Sequence, residues 1–328
     1  MDIYGTIGPA CLDLNVLKEM FANGMTGMRL NLSHITIKDA APMIELYQKA
    51  AKEAGVKNPK LLIDMQGSEI RVEAMDNPME LCEDKTVILG QGGVPIPAFL
   101  IPYLKEGQTL LLDDGKMKLE VMEQNVNHVI CRVLRGGILK GRKSIAVENC
   151  AIPVPTLTVQ DKENLKEAKA YGVTGIMQPF VRSSEDLKEV KKAMEETGCG
   201  DLTLLAKIEN QYGIRNLSTF FEWADEIVIA RGDLGNAMPL WELPGVQKRI
   251  QNICKEANMP FMVVTQMLSS MEHSKVPTRA EVSDIYNAAY DGASSVMVTG
   301  ETAVGDYPAE VIRYLANTAK EGWKDRLA

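Results

Sequence analysis

Histidine is scarce in this chain: three residues, at 34, 128 and 273, among 328. The six cysteines, at 11, 82, 131, 150, 199 and 254, are dispersed. No Cys/His set therefore has the spacing of a zinc site. The same dispersal, with no CxxC, points to free thiols in a reducing compartment, so a cytoplasmic location is expected. Basic charge is also in short supply. Against 44 Asp and Glu stand 36 Lys and Arg, for a net charge of −8. That balance argues against nucleic acid as the main partner, because a phosphate backbone calls for a basic surface. It leaves phosphorylated small molecules open, since these need only local positive charge. No apolar run is long enough to span a bilayer and the N-terminus does not read as a signal peptide, so no membrane association is expected. No GxGxxG follows the first strand-like segment, which removes the main support for an open dinucleotide-binding sheet.

What is present is an ordinary globular balance, 45% hydrophobic and 24% charged residues, in a chain long enough for one large domain or two smaller ones. Short apolar runs alternate with helical periods. Ile3 to Ile7 reads as a first strand, with Asp13 capping a helix from Leu14 that Gly24 stops. A second strand, Met25 to Asn31, puts Arg29, Asn31 and Ser33 on one side by alternation. A helix from Ile37 to Ala54 leads to a third strand, Lys60 to Met65, with Asp64 at its end. From 72 to 155 the rhythm changes to period-2 runs at Thr86, Thr109, Lys118 and His128, separated by glycine-rich turns. This segment reads as a small β domain inserted into an α/β chain. Strand–helix alternation then resumes: a helix from Val159 to Tyr171, a strand to Phe180, and a helix capped by Ser184. About eight units result in all. That is the number of a (β/α)8 TIM barrel formed by 1–71 and 156–328, whose functional groups lie at the carboxyl ends of its strands.

The stretch from Leu204 to Gly235 is the most informative. Its first apolar run ends in Lys207-Ile208-Glu209-Asn210, and alternation puts Lys207 and Glu209 on one side. The next run, Ile227 to Ala230, ends in Arg231-Gly232-Asp233. Taken singly, these residues fit a rim ion pair and a helix cap as well as a site. On consecutive strand ends they favour a site, and two carboxylates beside an ammonium suit a divalent cation with an anionic ligand.

AKIENQYGI and ARGDLG in this stretch resemble the active-site and second metal-binding segments of pyruvate kinases. TIGPAC, MRLNLSH, DMQGSEIR, VTQMLSSM, PTRAEVSD and TGETAVGDYP resemble further segments of that family, in order, over nearly the whole chain. The resemblance implies phosphoryl transfer between phosphoenolpyruvate and ADP, giving pyruvate and ATP, with the insert as a small β-barrel lid. It implies Glu209 and Asp233 as ligands of Mg2+ or Mn2+, and the backbone at Gly232 and Asp233 as a seat for the substrate carboxylate. Lys207 and Arg29 would neutralise the moving phosphoryl group, and Thr265 would sit beside the carbon that exchanges a proton. Pro9, His34 and Lys143 would meet the nucleotide. Asn31, Ser33 and Asp64 would form what remains of a K+ site. The family's C-terminal domain is expected to be missing, so assembly into a homo-oligomer would use the barrel helices.

Several positions depart from the family pattern. Asp64-Met65-Gln66-Gly67-Ser68 replaces the usual Asp-Thr-Lys-Gly-Pro, and the thioether of Met65 is a poor partner for K+. Glu69 is kept, whereas members that work without K+ usually lack it. Pro179-Phe180 replaces Ser-Phe, and Asn236-Ala237 follows ARGDLG where an acid is usual. Two other functions stay open on these residues: a metal-dependent lyase or aldolase acting on pyruvate or oxaloacetate, and a non-catalytic metabolite-binding protein.

Overall fold

The computed structural model describes residues 1–33, 35–148, 150 and 152–327. The chain divides into two compact units. One comprises Met1–Gly67, Thr156–Leu234 and Leu240–Ala328, and the other Ser68–Pro155 with Gly235–Pro239.

In the first unit a closed parallel barrel is formed by β1 (Asp2–Thr6), β2 (Gly27–Asn31), β3 (Lys60–Asp64), β4 (Gly175–Gln178), β5 (Thr203–Ile208), β6 (Glu226–Ala230), β7 (Phe261–Val264) and β8 (Ser295–Met297). Each strand pairs with the next in sequence, and β8 closes on β1. The expected (β/α)8 TIM barrel is therefore present. All four residues of β4 and of β7 are buried, as expected for strands covered on both faces. One buried cluster takes Tyr4, Leu62, Met177, Leu205, Val228, Met262 and Met297 from seven different strands. Their alternation fills the barrel interior. On β2 the interior position is Gly27, where a Cβ would come within 2.6 Å of the Tyr4 ring and of the Lys60 carbonyl. Glycine is required there by close approach.

The helices between the strands are α1 (Leu14–Ala22), α2 (Ala41–Glu53), α3 (Val159–Ala168), α4 (Ser184–Glu196), α5 (Gln211–Asn216), α6 (Arg231–Asn236), α7 (Leu243–Glu256), α8 (Arg279–Tyr290), α9 (Gly300–Ala303) and α10 (Pro308–Leu327). Asp13 caps α1 as expected, accepting from Asn15 and Val16. The cap of α4 is Ser183, one residue before the expected Ser184. The reason is the spacing: Ser183 and Asp186 satisfy each other's backbone N–H in a capping box, whereas Leu187 could not return the bond to Ser184. At α3, Asp161 completes a capping box with Thr158 and also accepts from Gln66 and Gly67 N–H at 2.8 and 3.1 Å. One buried carboxylate thus fixes the backbone where the chain leaves β3.

The second unit is built of antiparallel strands. Ile145–Val147, Thr109–Leu112, Met117–Gln124, His128–Arg135 and Thr86–Gly90 lie in that order in a five-stranded sheet, and Met79–Leu81 pairs with Gly137–Leu139 in a separate ribbon. The described strands form an open sheet rather than the small closed barrel expected. One edge strand has only 3 residues, and Leu100 and Ile101 from a 3-10 turn complete the core. Asp113, Asp114 and Gly115 form the predicted turn, at φ 49°, 54° and 76°. Among the described residues, no helix is long and apolar enough to cross a membrane.

Candidate active site

Interior alternation continues past the apolar layer into charge. Leu205 on β5 is followed on the same side by Lys207 and Glu209, and Leu62 on β3 by Asp64. The ammonium of Lys207 reaches across the barrel to Asp64, 3.1 and 3.2 Å from its two oxygens, and lies 2.9 Å from Glu209 Oε1. Arg29, projecting from β2, donates through Nε to Asp64 Oδ2 at 2.8 Å and pairs with it through Nη2 at 2.7 Å. The β2–β3 register sets Asn31 opposite Asp64. Four of the residues singled out from sequence therefore form one connected cluster. Its side chains are nearly closed to solvent, from 0% exposure for Glu209 to 12% for Lys207 and Arg29, so water screens these charges weakly.

The electrostatics follow from that burial. Burial opposes the charge on Lys207, but Asp64 and Glu209 outweigh it and raise the ammonium above its ordinary pKa. Burial likewise opposes the Asp64 carboxylate, yet Lys207 and Arg29 hold it below the ordinary range. Glu209 goes the other way. Burial pushes it up, Lys207 pulls it back, and Asp233 and Asp64 add to the rise, leaving its carboxyl pushed up to about 7. Of the two acids facing Lys207, Glu209 is therefore the one whose proton affinity is raised.

The hydrogen bonds agree. Glu209 Oε2 accepts from Phe180 N–H at 2.7 Å, made available by a left-handed φ of 55° at Phe180. Glu209 Oε1 is ion-paired with Lys207 Nζ at 2.9 Å, outside regular hydrogen-bond geometry. A buried carboxylate whose proton affinity is raised by a second carboxylate, Asp233, could take part in holding a divalent cation. Among the described residues no three His, Cys, Asp or Glu side chains converge on one point. Glu209 and Asp233 are the carboxylates that could contribute oxygens to such a site, ligand and water oxygens being the others. Mg2+ is commonly held in that way.

Thr265 follows β7 at φ 76°, with its Oγ1 buried and without a hydrogen-bond partner. It faces Gly232: a Cβ on that glycine would lie 3.6 Å from Thr265 Oγ1. Asn31 Oδ1 accepts from Ser33 N–H at 3.1 Å in the turn after β2. Pro9 is exposed in a 3-10 turn, Pro9–Cys11, after β1. Lys143 belongs to the second unit, where its Nζ is 2.7 Å from Asp113. His34 lies outside the described residues.

Two features went unread in the sequence. One is the Phe180 N–H on Glu209. Its only trace was the Pro179-Phe180 departure, and the left-handed turn that aims the amide has no residue signature of its own. The other is the contact of Arg231 with the Thr265 carbonyl and with Asp284. Both motifs were noted, ARGDLG and PTRAEVSD, but nothing in either shows that they meet.

Buried acids and cations at the carboxyl ends of successive strands define a TIM-barrel protein whose functional face is the barrel top. The chain belongs to the pyruvate kinase family: residues 1–312 match the family model for the pyruvate kinase barrel domain. Among its relatives, the pyruvate kinase of Bacillus licheniformis is 35% identical, over 97% of this chain and 56% of that protein. The pyruvate kinase of Methylorubrum extorquens is also 35% identical, over 99% of this chain and 69% of its own length. That of Chlamydia trachomatis is 33% identical, over 97% of this chain and 67% of its own. The chain spans little more than half the length of the first of these and about two thirds of the others.

Proposed function

We propose that this chain is a cytoplasmic phosphotransferase that moves the phosphoryl group of phosphoenolpyruvate to ADP, giving pyruvate and ATP. The observation that carries the reading is the buried Lys207, held between the carboxylates of Asp64 and Glu209. Glu209 and Asp233 would hold Mg2+ or Mn2+, which supplies charge neutralisation for the substrate oxygens. Lys207 and Arg29 then stabilise charge on the phosphoryl group from two sides. Their anchoring on Asp64 fixes both donors before substrate arrives, so little reorganisation is needed as the group moves. The planar fork of Arg29 suits phosphate oxygens better than a second ammonium would. The backbone at Gly232 and Asp233 receives the substrate carboxylate, and the undonated Thr265 hydroxyl sits beside the carbon that takes up a proton. Pro9, His34 and Lys143 are the nucleotide contacts in this reading. The β insert, 72–155, acts as a lid that excludes water when it closes.

Dependence on K+ is weak in this proposal. Both oxygens of Asp64 are already engaged by Lys207 and Arg29, and Met65 offers sulfur where an oxygen is wanted. The test is a coupled assay with phosphoenolpyruvate and each nucleoside diphosphate, with K+ or with a bulky organic cation. Mg2+-dependent pyruvate formation that requires a nucleotide supports the proposal. Nucleotide-independent cleavage of oxaloacetate would favour the lyase reading, and absence of both would favour a binding protein.

A further inference from the structure

Thr265 and the residue after it, Gln266, both have left-handed backbones, at φ 76° and 53°. For the β-branched Thr265 this is a true outlier, and it persists only where the surroundings over-determine it. The strand before it is regular: Val264 pairs in register with Ala230 and with Met297. The strain is therefore confined to the turn, and the group that holds the turn can be named. Arg231, the first residue after β6, donates Nε and Nη2 to the Thr265 carbonyl at 3.2 and 2.7 Å. Its Nη1 lies 2.8 and 2.7 Å from the two oxygens of Asp284 on α8. A guanidinium can do this because its donors sit in one rigid plane. On the other side of the turn the Thr265 hydroxyl, buried and undonated, points toward Gly232.

We propose that Arg231 is a positioning residue: its two-pronged grip on the Thr265 carbonyl, locked by Asp284, holds that backbone left-handed and so aims the hydroxyl into the site. The proposal rests on the reading of Thr265 as the group beside the protonated carbon. Arg231 and Asp284 also line, with Lys248 and Gln266, an open pocket of about 390 Å3. Shortening Arg231 therefore lets water in rather than leaving a dry cavity, and the fold should tolerate it.

The test combines structure and kinetics on Arg231→Lys and on Asp284→Asn, which keeps its shape. In crystal structures of both variants Thr265 is expected to relax to negative φ. Exchange of solvent protons into the pyruvate methyl group should fall about tenfold, the scale of the strain being released. That loss should appear in kcat with KM for pyruvate little changed. In a Thr265→Ala background, Arg231→Lys should add less than about twofold, because the two residues act as one unit. A Thr265 that keeps its positive φ in both variants, or losses that multiply in the double variant, would overturn the proposal. A parent chain that exchanges no methyl protons would instead defeat the reading of Thr265 as a catalytic neighbour, while the φ readout would still decide the role of Arg231.

Discussion

Lys207 Nζ stands 2.9 Å from Glu209 Oε1 while it donates to both oxygens of Asp64, at 3.2 and 3.1 Å. The two residues are neighbours in charge but not in role. In the proposed function Glu209 shares a cation with Asp233. Glu209→Gln keeps the bulk and removes the charge. It should weaken Mg2+ and phosphoenolpyruvate binding together, by about ten- to a hundredfold as judged from altered metal sites. Calorimetric titration of each ligand in the presence of the other checks this. A loss confined to one of the two ligands would separate the carboxylate from the shared site.

Gly27 should be intolerant of any side chain. A Cβ would sit 2.6 Å from both the Tyr4 ring and the Lys60 carbonyl, and backbone in a closed barrel cannot give way. Gly27→Ala is expected to cost about 1–3 kcal/mol, the usual range for overpacking a core. Chemical denaturation should show a lower midpoint with an unchanged slope. An unchanged midpoint would mean that the barrel is more plastic than its register implies.

Asp186 should carry an acid-sensitive share of stability. Burial opposes its charge, but hydrogen bonds and charge from Arg182, with further bonds from Ser183 N–H and the Thr156 hydroxyl, hold the carboxyl below its ordinary 3.8. A depressed folded pKa adds stability that is complete above the unfolded value and lost as pH falls through the folded one. Asp186→Asn should therefore lower the melting temperature at neutral pH, by about 2 kcal/mol in stability, the scale for hydrogen bonds to a charged group. The gap between parent and variant should narrow below about pH 4. A gap independent of pH would assign the effect to packing.

The barrel was legible because its strands are short apolar runs, several ending in charge, and helices such as α1 and α8 carry their own capping residues. Asp13, Gly24 and the run from Ile227 to Ala230 behave as their local chemistry dictates. The meeting of Lys207 with Asp64 was not legible. The two are far apart in sequence and on strands that are not neighbours, and only the closure of the barrel brings them together. The left-handed turns at Phe180 and Thr265 were hidden for another reason. Neither residue type favours that conformation, so long-range contacts impose what local propensity opposes. The Ser183 cap was missed by one residue because either serine could start the helix, and only the position of Asp186 decides.

In the proposed function Lys207 acts on the phosphoryl group and is not merely the counter-ion of a buried acid. Steady-state transfer from phosphoenolpyruvate to ADP by Lys207→Met, at saturating Mg2+, tests it most directly. The expected result is that kcat falls about a hundredfold or more, near 3 kcal/mol, the scale for one preorganised electrostatic group. KM should rise far less, because the charge it meets develops in the transition state. A variant that folds, binds Mg2+ and transfers the phosphoryl group at close to the parental kcat would contradict the account, and would leave Lys207 as a structural ion pair.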